Sequence, residues 1–327
     1  MMKKLKTLPA KLHAALAGLM LAALFLFPMM GLSQYVYRVC VISVLYAILA
    51  MSLNLIAGVA GQISLGHIAF YGIGAYTSAL LCVNLGVPVW LGILAAFLAS
   101  MFFGLLIAIP TLKLSGGYLA ILTMSFAEII RLILLNWTDV TRGPMGILNI
   151  PKPELFGYTI KSSAAFLYLV IIIAIVVYIA LRNLIRSKFG RNLKALRDDE
   201  ISSESMGINV YRHKVIAFVI STGIAGIAGI AGALYASYME FIDPTSFISD
   251  ESTVILSMVV LGGMGNMNGS IIAAVLLTVL PEALRSFSDY RMLVYGVVLV
   301  AMMLLKITDW GAVKRSLKTA ATFKKEC

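Results

Sequence analysis

Residues 57–81 read AGVAGQISLGHIAFYGIGAYTSALL: apolar enough for a membrane crossing, yet broken by Gly58, Gly61 and Gly66 and carrying Gln62, Ser64 and His67. In lipid, backbone N–H and C=O groups must be satisfied without water. Breakers and polar groups at that depth are therefore tolerated only against protein or a water-filled path. The stretch predicts an interrupted helix inside a packed helical bundle. A second glycine-broken stretch, LGGMGNMNGSIIAAVLL, occupies residues 261–277. The rest of the chain reads as the scaffold that presents these two interruptions.

Composition supports that reading. Of 327 residues, 61% are hydrophobic and 13% charged, against about 45–50% and about 25% in soluble domains. The apolar runs are continuous rather than alternating, which argues for an all-α, polytopic transmembrane bundle and against a β-barrel. The net charge of +11 comes from basic residues clustered outside the apolar runs. That is the pattern of cytoplasmic loops, so the lipid bilayer, and no nucleic acid, is the expected partner. Cys40, Cys82 and Cys327 lack metal or redox spacing and read as buried small hydrophobes.

Spans are predicted at 37–57, 63–83, 88–111, 118–136, 163–183, 214–239, 269–282 and 291–306, with a short run at 252–264 that suits a half-helix. Lys3, Lys4, Lys6 and Lys11 precede an apolar run to about Met30. This is read as an uncleaved first helix entering from the cytoplasm, with a signal peptide as the alternative. Residues 1–36 are thus an N-terminal tail and first helix, 37–310 the membrane domain, and 311–327 a basic cytoplasmic tail. Six spans place the basic segment around 182–214 in the cytoplasm, and both termini follow it there. The acidic residues Glu240, Asp243, Asp250 and Glu251 then face outside, as does loop 137–162, whose Gly143-Pro144 and Pro151-Lys152-Pro153 signal ordered turns. Such a loop is either a connector or a docking surface. Residues 252–282 either cross twice or form a re-entrant hairpin, giving ten or eight crossings.

Individual residues admit two readings. His67, within a span, is a proton relay or substrate contact, or else packing glue between helices. Glu128 and Arg131 lie three apart on one helix face, so they mark a path or simply neutralise each other. Ser221, Ala225, Gly229, Ala233 and Ser237 recur every four residues, as do Ala228, Gly232 and Ala236, which lets another helix approach closely. In RSKFGRNLKALRDDEISSESMGIN, Leu193, Leu196, Ile201 and Met206 form an apolar stripe among charges, with Gly190 and Gly207 as bracketing breakers. One or two amphipathic surface helices that dock a partner fit this better than a plain loop. There is no phosphate-binding GxxxxGK[ST] motif, no catalytic constellation and no metal-ligand spacing, so no enzyme activity and no cofactor is expected.

The runs GQISLGHIAFYGIGAYTSALL, GGYLAILTMSFAEIIRLILLNW, TRGPMGILNIPKPELFG, FGRNLKALRDDEISSESMGINVYRHKVIAFVIS and VVLGGMGNMNGSIIAAVL occur in this order. Together they resemble the branched-chain amino acid ABC importer permeases, and among them the LivM-type subunits. The resemblance implies a subunit of the bacterial inner membrane. It implies a sister permease subunit that completes the pathway, two ATP-binding cassette ATPase subunits and a periplasmic substrate-binding protein. The family's coupling segment maps within 186–212, onto Gly190, Arg191, Leu196, Arg197, Asp198, Asp199, Glu200, Glu204 and Gly207. Its membrane core maps onto Gln62, Ser64, Gly66, His67, Tyr71, Gly262, Gly263, Gly265 and Asn268 as the transport pathway. Related permeases carry urea, amides or other amino acids, which leaves those substrates as alternatives. A proton-coupled secondary transporter, with His67 and the Glu128–Arg131 pair moving protons, is a further one.

Overall fold

The computed structural model describes residues 33–111, 117–155, 158–160, 162–283, 296, 297 and 300. The expected helix within 1–30, the run at 291–306 and the basic tail lie outside the described residues. Ten helices of six residues or more are described: α1 Gln34–Leu53, α2 His67–Leu85, α3 Val89–Thr111, α4 Gly117–Asn136, α5 Ser163–Arg186, α6 Lys188–Asp198, α7 Glu200–Ser205, α8 Val210–Met239, α9 Ser249–Gly262 and α10 Met267–Ala283. A π-helical turn, Asn54–Val59, continues α1. Among the described residues, five stretches are long and apolar enough to cross a membrane: Gln34–Val59, α2, α3, α4 and α5. α8 has 30 residues, roughly 45 Å of helix.

The helix boundaries follow local chemistry. Ser187 caps α6 by accepting from the Gly190 amide, Asp199 caps α7 from Ser202, and Asn209 caps α8 from Arg212. Gly86, in a left-handed conformation, ends α2. Gly190 is not the breaker expected from sequence. It lies inside α6, and a Cβ there would come within 2.3 Å of the Ile185 carbonyl oxygen, so it permits a tight corner against α5.

α8 packs along both α2 and α3. A Cβ on Gly104 would meet Thr222 Oγ1 at 1.9 Å, and one on Gly226 would meet Ser100 Cβ at 2.2 Å. Helices in lipid gain little from hydrophobic burial against each other, so this backbone approach supplies the contact energy. Ser221, the first residue of the predicted small-residue row, serves another neighbour by donating to the Ser52 carbonyl of α1. Phe70 forms the aromatic centre, 5.5 Å from Phe126 and 5.9 Å from Phe218 between ring centroids.

One end of the bundle is marked by Ser163 at the start of α5, which donates to Gln34 at the start of α1. The opposite end carries α6 and α7. α9 has 14 residues, roughly 21 Å. It begins beside mid-α4, where Ser249 bonds Glu128, and runs toward the α6 end. There it turns at 263–266 into α10, with Gly262 and Gly269 in backbone contact. The hairpin therefore runs deep into the bundle to the α6 end.

Candidate functional site

The chain leaves helical geometry at Ala60 and re-enters it at His67. Neighbouring helices take over backbone bonding within the gap and in the first turn after it: the Thr123 hydroxyl of α4 accepts from the Leu65 amide, and the Ser252 hydroxyl of α9 accepts from the Ile68 amide. This is how an interruption survives at membrane depth. Exposure alternates along the run. Gly61 and Ile63 are exposed and Leu65 is half-buried, while Gln62, Ser64 and Gly66 are buried. The outward face of the break is thus Ile63 and Leu65, while Gly61 lies against the Arg197 side chain; the expected pathway residues Gln62 and Ser64 point into their own chain.

His67 is fully buried and its Nε2 lies 2.7 Å from the Ser52 hydroxyl. That hydroxyl donates to the Leu49 carbonyl, so the ring N–H donates to the Ser52 oxygen. His67 Nδ1, Gln62 Oε1 and Asn54 Nδ2 are buried without a hydrogen-bond partner among the described residues. Tyr71 is also interior, its ring 5.4 Å from Phe247 and 6.1 Å from Tyr235. Glu128 and Arg131 pair with each other, with Arg131 Nε at 3.0 Å and 3.1 Å from the two carboxylate oxygens.

The second glycine stretch comes to the same place. Gly263 and Gly265 have φ of 99° and 83°, a turn that glycine allows. The Gly265 amide donates to Asn54 Oδ1 at 2.8 Å. Gly58 must lack a Cβ, since one would lie 2.2 Å from the Gly265 nitrogen. Asn268 is exposed and accepts from Tyr178 of α5. Asn54 was missed in the sequence, although an asparagine in the apolar run LNLIAG, four residues before the breaker Gly58, is itself a signal.

The expected amphipathic segment is two helices with divided apolar residues. Leu193 and Leu196 are buried in the bundle, whereas Ile201 and Met206 are 80% and 83% exposed. Several contacts hold the inner face. The Phe189 ring stacks on His213 at 5.4 Å, Asn192 bonds His213 at 3.1 Å, and Glu200 pairs with Lys214 at 2.5 Å. Arg197 donates to the Gly58 carbonyl at the break. Arg191, Asp198 and Glu204 are exposed. The Ser202 amide, followed by the Ser202 side chain, holds the Asp199 carboxyl below its ordinary value. Gly207, with φ of 82°, ends the segment.

At the other end, the described residues of loop 137–162 form short strands and turns. Ile147–Leu148 pairs antiparallel with Phe241–Ile242, Glu154–Leu155 pairs with Tyr158–Thr159, and Lys152 bridges to Glu240 at 2.6 Å. Trp90 donates to the Glu154 carbonyl. Met145 projects from this layer, 80% exposed.

The chain is similar to known proteins over most of its length. Residues 35–304 match the family described as branched-chain amino acid transport system / permease component. The chain is 40% identical over 289 residues to the high-affinity branched-chain amino acid transport system permease protein LivM of Salmonella typhimurium, covering 81% of this chain and 67% of that protein. It is 28% identical over 282 residues to a probable LivM of Methanocaldococcus jannaschii, covering 76% and 80% respectively. It is 26% identical over 285 residues to LivH of Escherichia coli, covering 80% and 90%. With its apolar helices and a family match across most of its length, this multi-pass helical membrane protein belongs to the branched-chain amino acid transport system permease family, with LivM-type relatives.

Proposed function

We propose that the chain is the permease subunit of an importer for branched-chain, hydrophobic amino acids. It shares the passage with a sister permease, is driven by two ABC ATPase subunits, and receives substrate from a periplasmic binding protein. The observation that carries this reading is the two-faced segment α6–α7. One face is bolted to the bundle through Leu193, Leu196 and the Glu200–Lys214 pair, while the other offers Ile201 and Met206 to solvent. A loop that served only to connect two spans would not hold two large apolar side chains outward on a rigid base. A partner surface has use for them.

The basic segment and both termini lie in the cytoplasm under the positive-inside rule. The chain has no phosphate-binding loop, so ATP hydrolysis resides on the partners and the chain itself is not an enzyme. Loop 137–162 then faces the periplasm and receives the binding protein. The outward-turned Ile63 and Leu65 line the seam with the sister permease, with Gln62, Ser64 and His67 behind them as polar backing. A zwitterionic amino acid crossing here meets backbone dipoles rather than fixed charges. That suits a weak transit site whose affinity is supplied by the binding protein. ATPase closure displaces α6–α7, and the displacement alternates access through the broken helix.

The test is purification of the complex and uptake in proteoliposomes with ATP inside. Ile201→Asp with Met206→Asp is expected to abolish ATPase co-purification and lower uptake by more than tenfold. Uptake by this chain alone, driven by a pH gradient and indifferent to ATP, overturns the reading in favour of a proton-coupled transporter.

A further inference from the structure

We propose that Arg197 is the positioning residue through which the cytoplasmic segment grips the helix break, by its bond to the Gly58 carbonyl. This rests on the importer reading above, and it names where the drive enters the membrane bundle.

Three structural units meet at this guanidinium. The first is α6, which carries Arg197. The second is the π turn Asn54–Val59, whose ladder is displaced: the Ala60 amide bonds Leu55 and the Gln62 amide bonds Ile56. No backbone amide among the described residues is bonded to the Gly58 carbonyl, which sits at the negative end of the α1 dipole and takes the Arg197 Nη1–H instead. The third is the α9–α10 turn: a Cβ on Gly265 would lie 3.2 Å from Arg197 Nη1 and 3.1 Å from the Gly58 oxygen. Asn54 ties that turn to the break through the Gly265 amide.

The arginine stem is fitted as well as its head. A Cβ on Gly61 would fall 2.9 Å from Arg197 Cγ, and Gly61 has φ of +73°. The glycine therefore leaves room for the stem to cross the break. Other basic residues of α6 do not enter the bundle in this way: Arg191 donates to the carbonyl of nearby Arg186. A charged bond to an orphan carbonyl at the end of one helix half transmits displacement along its axis. The break beside it can absorb the resulting change in backbone angles.

The test uses the whole complex: this chain, its sister permease, the ATPases and the binding protein, reconstituted in proteoliposomes. ATP hydrolysis and leucine uptake are measured on the same preparation. Arg197→Gln is expected to keep the ATPases co-purifying while uptake per ATP hydrolysed falls about tenfold, the scale of one charge-assisted bond. Arg197→Lys, which keeps the cation and most of the stem, is expected to lose about threefold. If Arg197→Gln lowers the yield of folded chain, the lysine variant carries the test. An unchanged uptake-to-hydrolysis ratio in both variants overturns the proposal. So does loss of the ATPases from Arg197→Gln, which would place Arg197 in docking alongside Ile201. Failure of the importer reading is visible separately, in wild-type complex that neither binds ATPases nor needs ATP.

Discussion

Replacing Glu200 with Gln is expected to loosen α7 from the bundle, and its size can be worked from the structure. The Lys214 side chain is 9% exposed and that of Glu200 is 52%, with Nζ and Oε1 2.5 Å apart. Lys214 is the fifth residue of α8, near the positive end of the helix dipole, so no local field compensates an unpaired ammonium there. Removing the partner of a fully buried charge costs about 3–5 kcal/mol, while an exposed pair is worth about 0–1 kcal/mol. A pair with one buried and one half-exposed member falls between these, at about 1–2 kcal/mol once solvent screening of Glu200 is allowed for. Since about 1.4 kcal/mol is tenfold in an equilibrium constant, amides of residues 201–207 should exchange roughly 5–30-fold faster. Hydrogen exchange on the chain in nanodiscs reads this directly. Lys214→Met added to Glu200→Gln should recover most of the protection, because the buried charge is gone. A change below about twofold in Glu200→Gln, or a double variant no better than the single, refutes the argument.

Three further outcomes follow from named contacts. Gly226→Ala places a methyl 2.2 Å from Ser100 Cβ, so α3 and α8 must part and thermal stability should fall by about 1–3 kcal/mol. Ser100→Gly should recover part of that loss, limited by the missing Ser100 bond to the Phe70 carbonyl. Gly146→Ala forces a side chain onto φ of +67° and to within 2.2 Å of the Ile242 carbonyl oxygen. The Ile147–Leu148 and Phe241–Ile242 pairing should open, read as faster proteolysis of loop 137–162. Asp199 has its folded pKa depressed below the ordinary 3.8 by the Ser202 amide and side chain. Its cap contribution is therefore present above that value and is lost as pH falls through the folded pKa. A carbon-13 titration of the Asp199 carboxyl should show a midpoint below 3.8, and Asp199→Asn should leave uptake between about pH 5 and 8 with the same pH profile.

Much of the bundle was legible in residue order because its causes are local. Apolar runs near the length of a bilayer predicted α1 to α5 within a few residues, and Ser187, Asp199 and Asn209 mark helix starts by bonding amides three residues on. The glycines at 58, 61 and 66 announced an interruption, and the mixed charge and apolar stripe at 190–207 announced surface helices. Gly190 misled, because a glycine that allows close approach to Ile185 and one that ends a helix look the same in sequence.

The amino-acid sequence by itself determined which segments enter the membrane, where the helices fail and which segment is amphipathic, since these depend on hydropathy and neighbours within about one turn. Only the tertiary structure decided that the two failures are one place. Asn54 and Gly265, 211 residues apart, bond across them, and Arg197 closes the junction from α6. It also decided that Ile63 faces out while Gln62 and Ser64 face in, and that Leu193 and Leu196 anchor while Ile201 and Met206 project. The reason is physical: periodicity defines the faces of an element, and only packing against distant elements selects which face is covered.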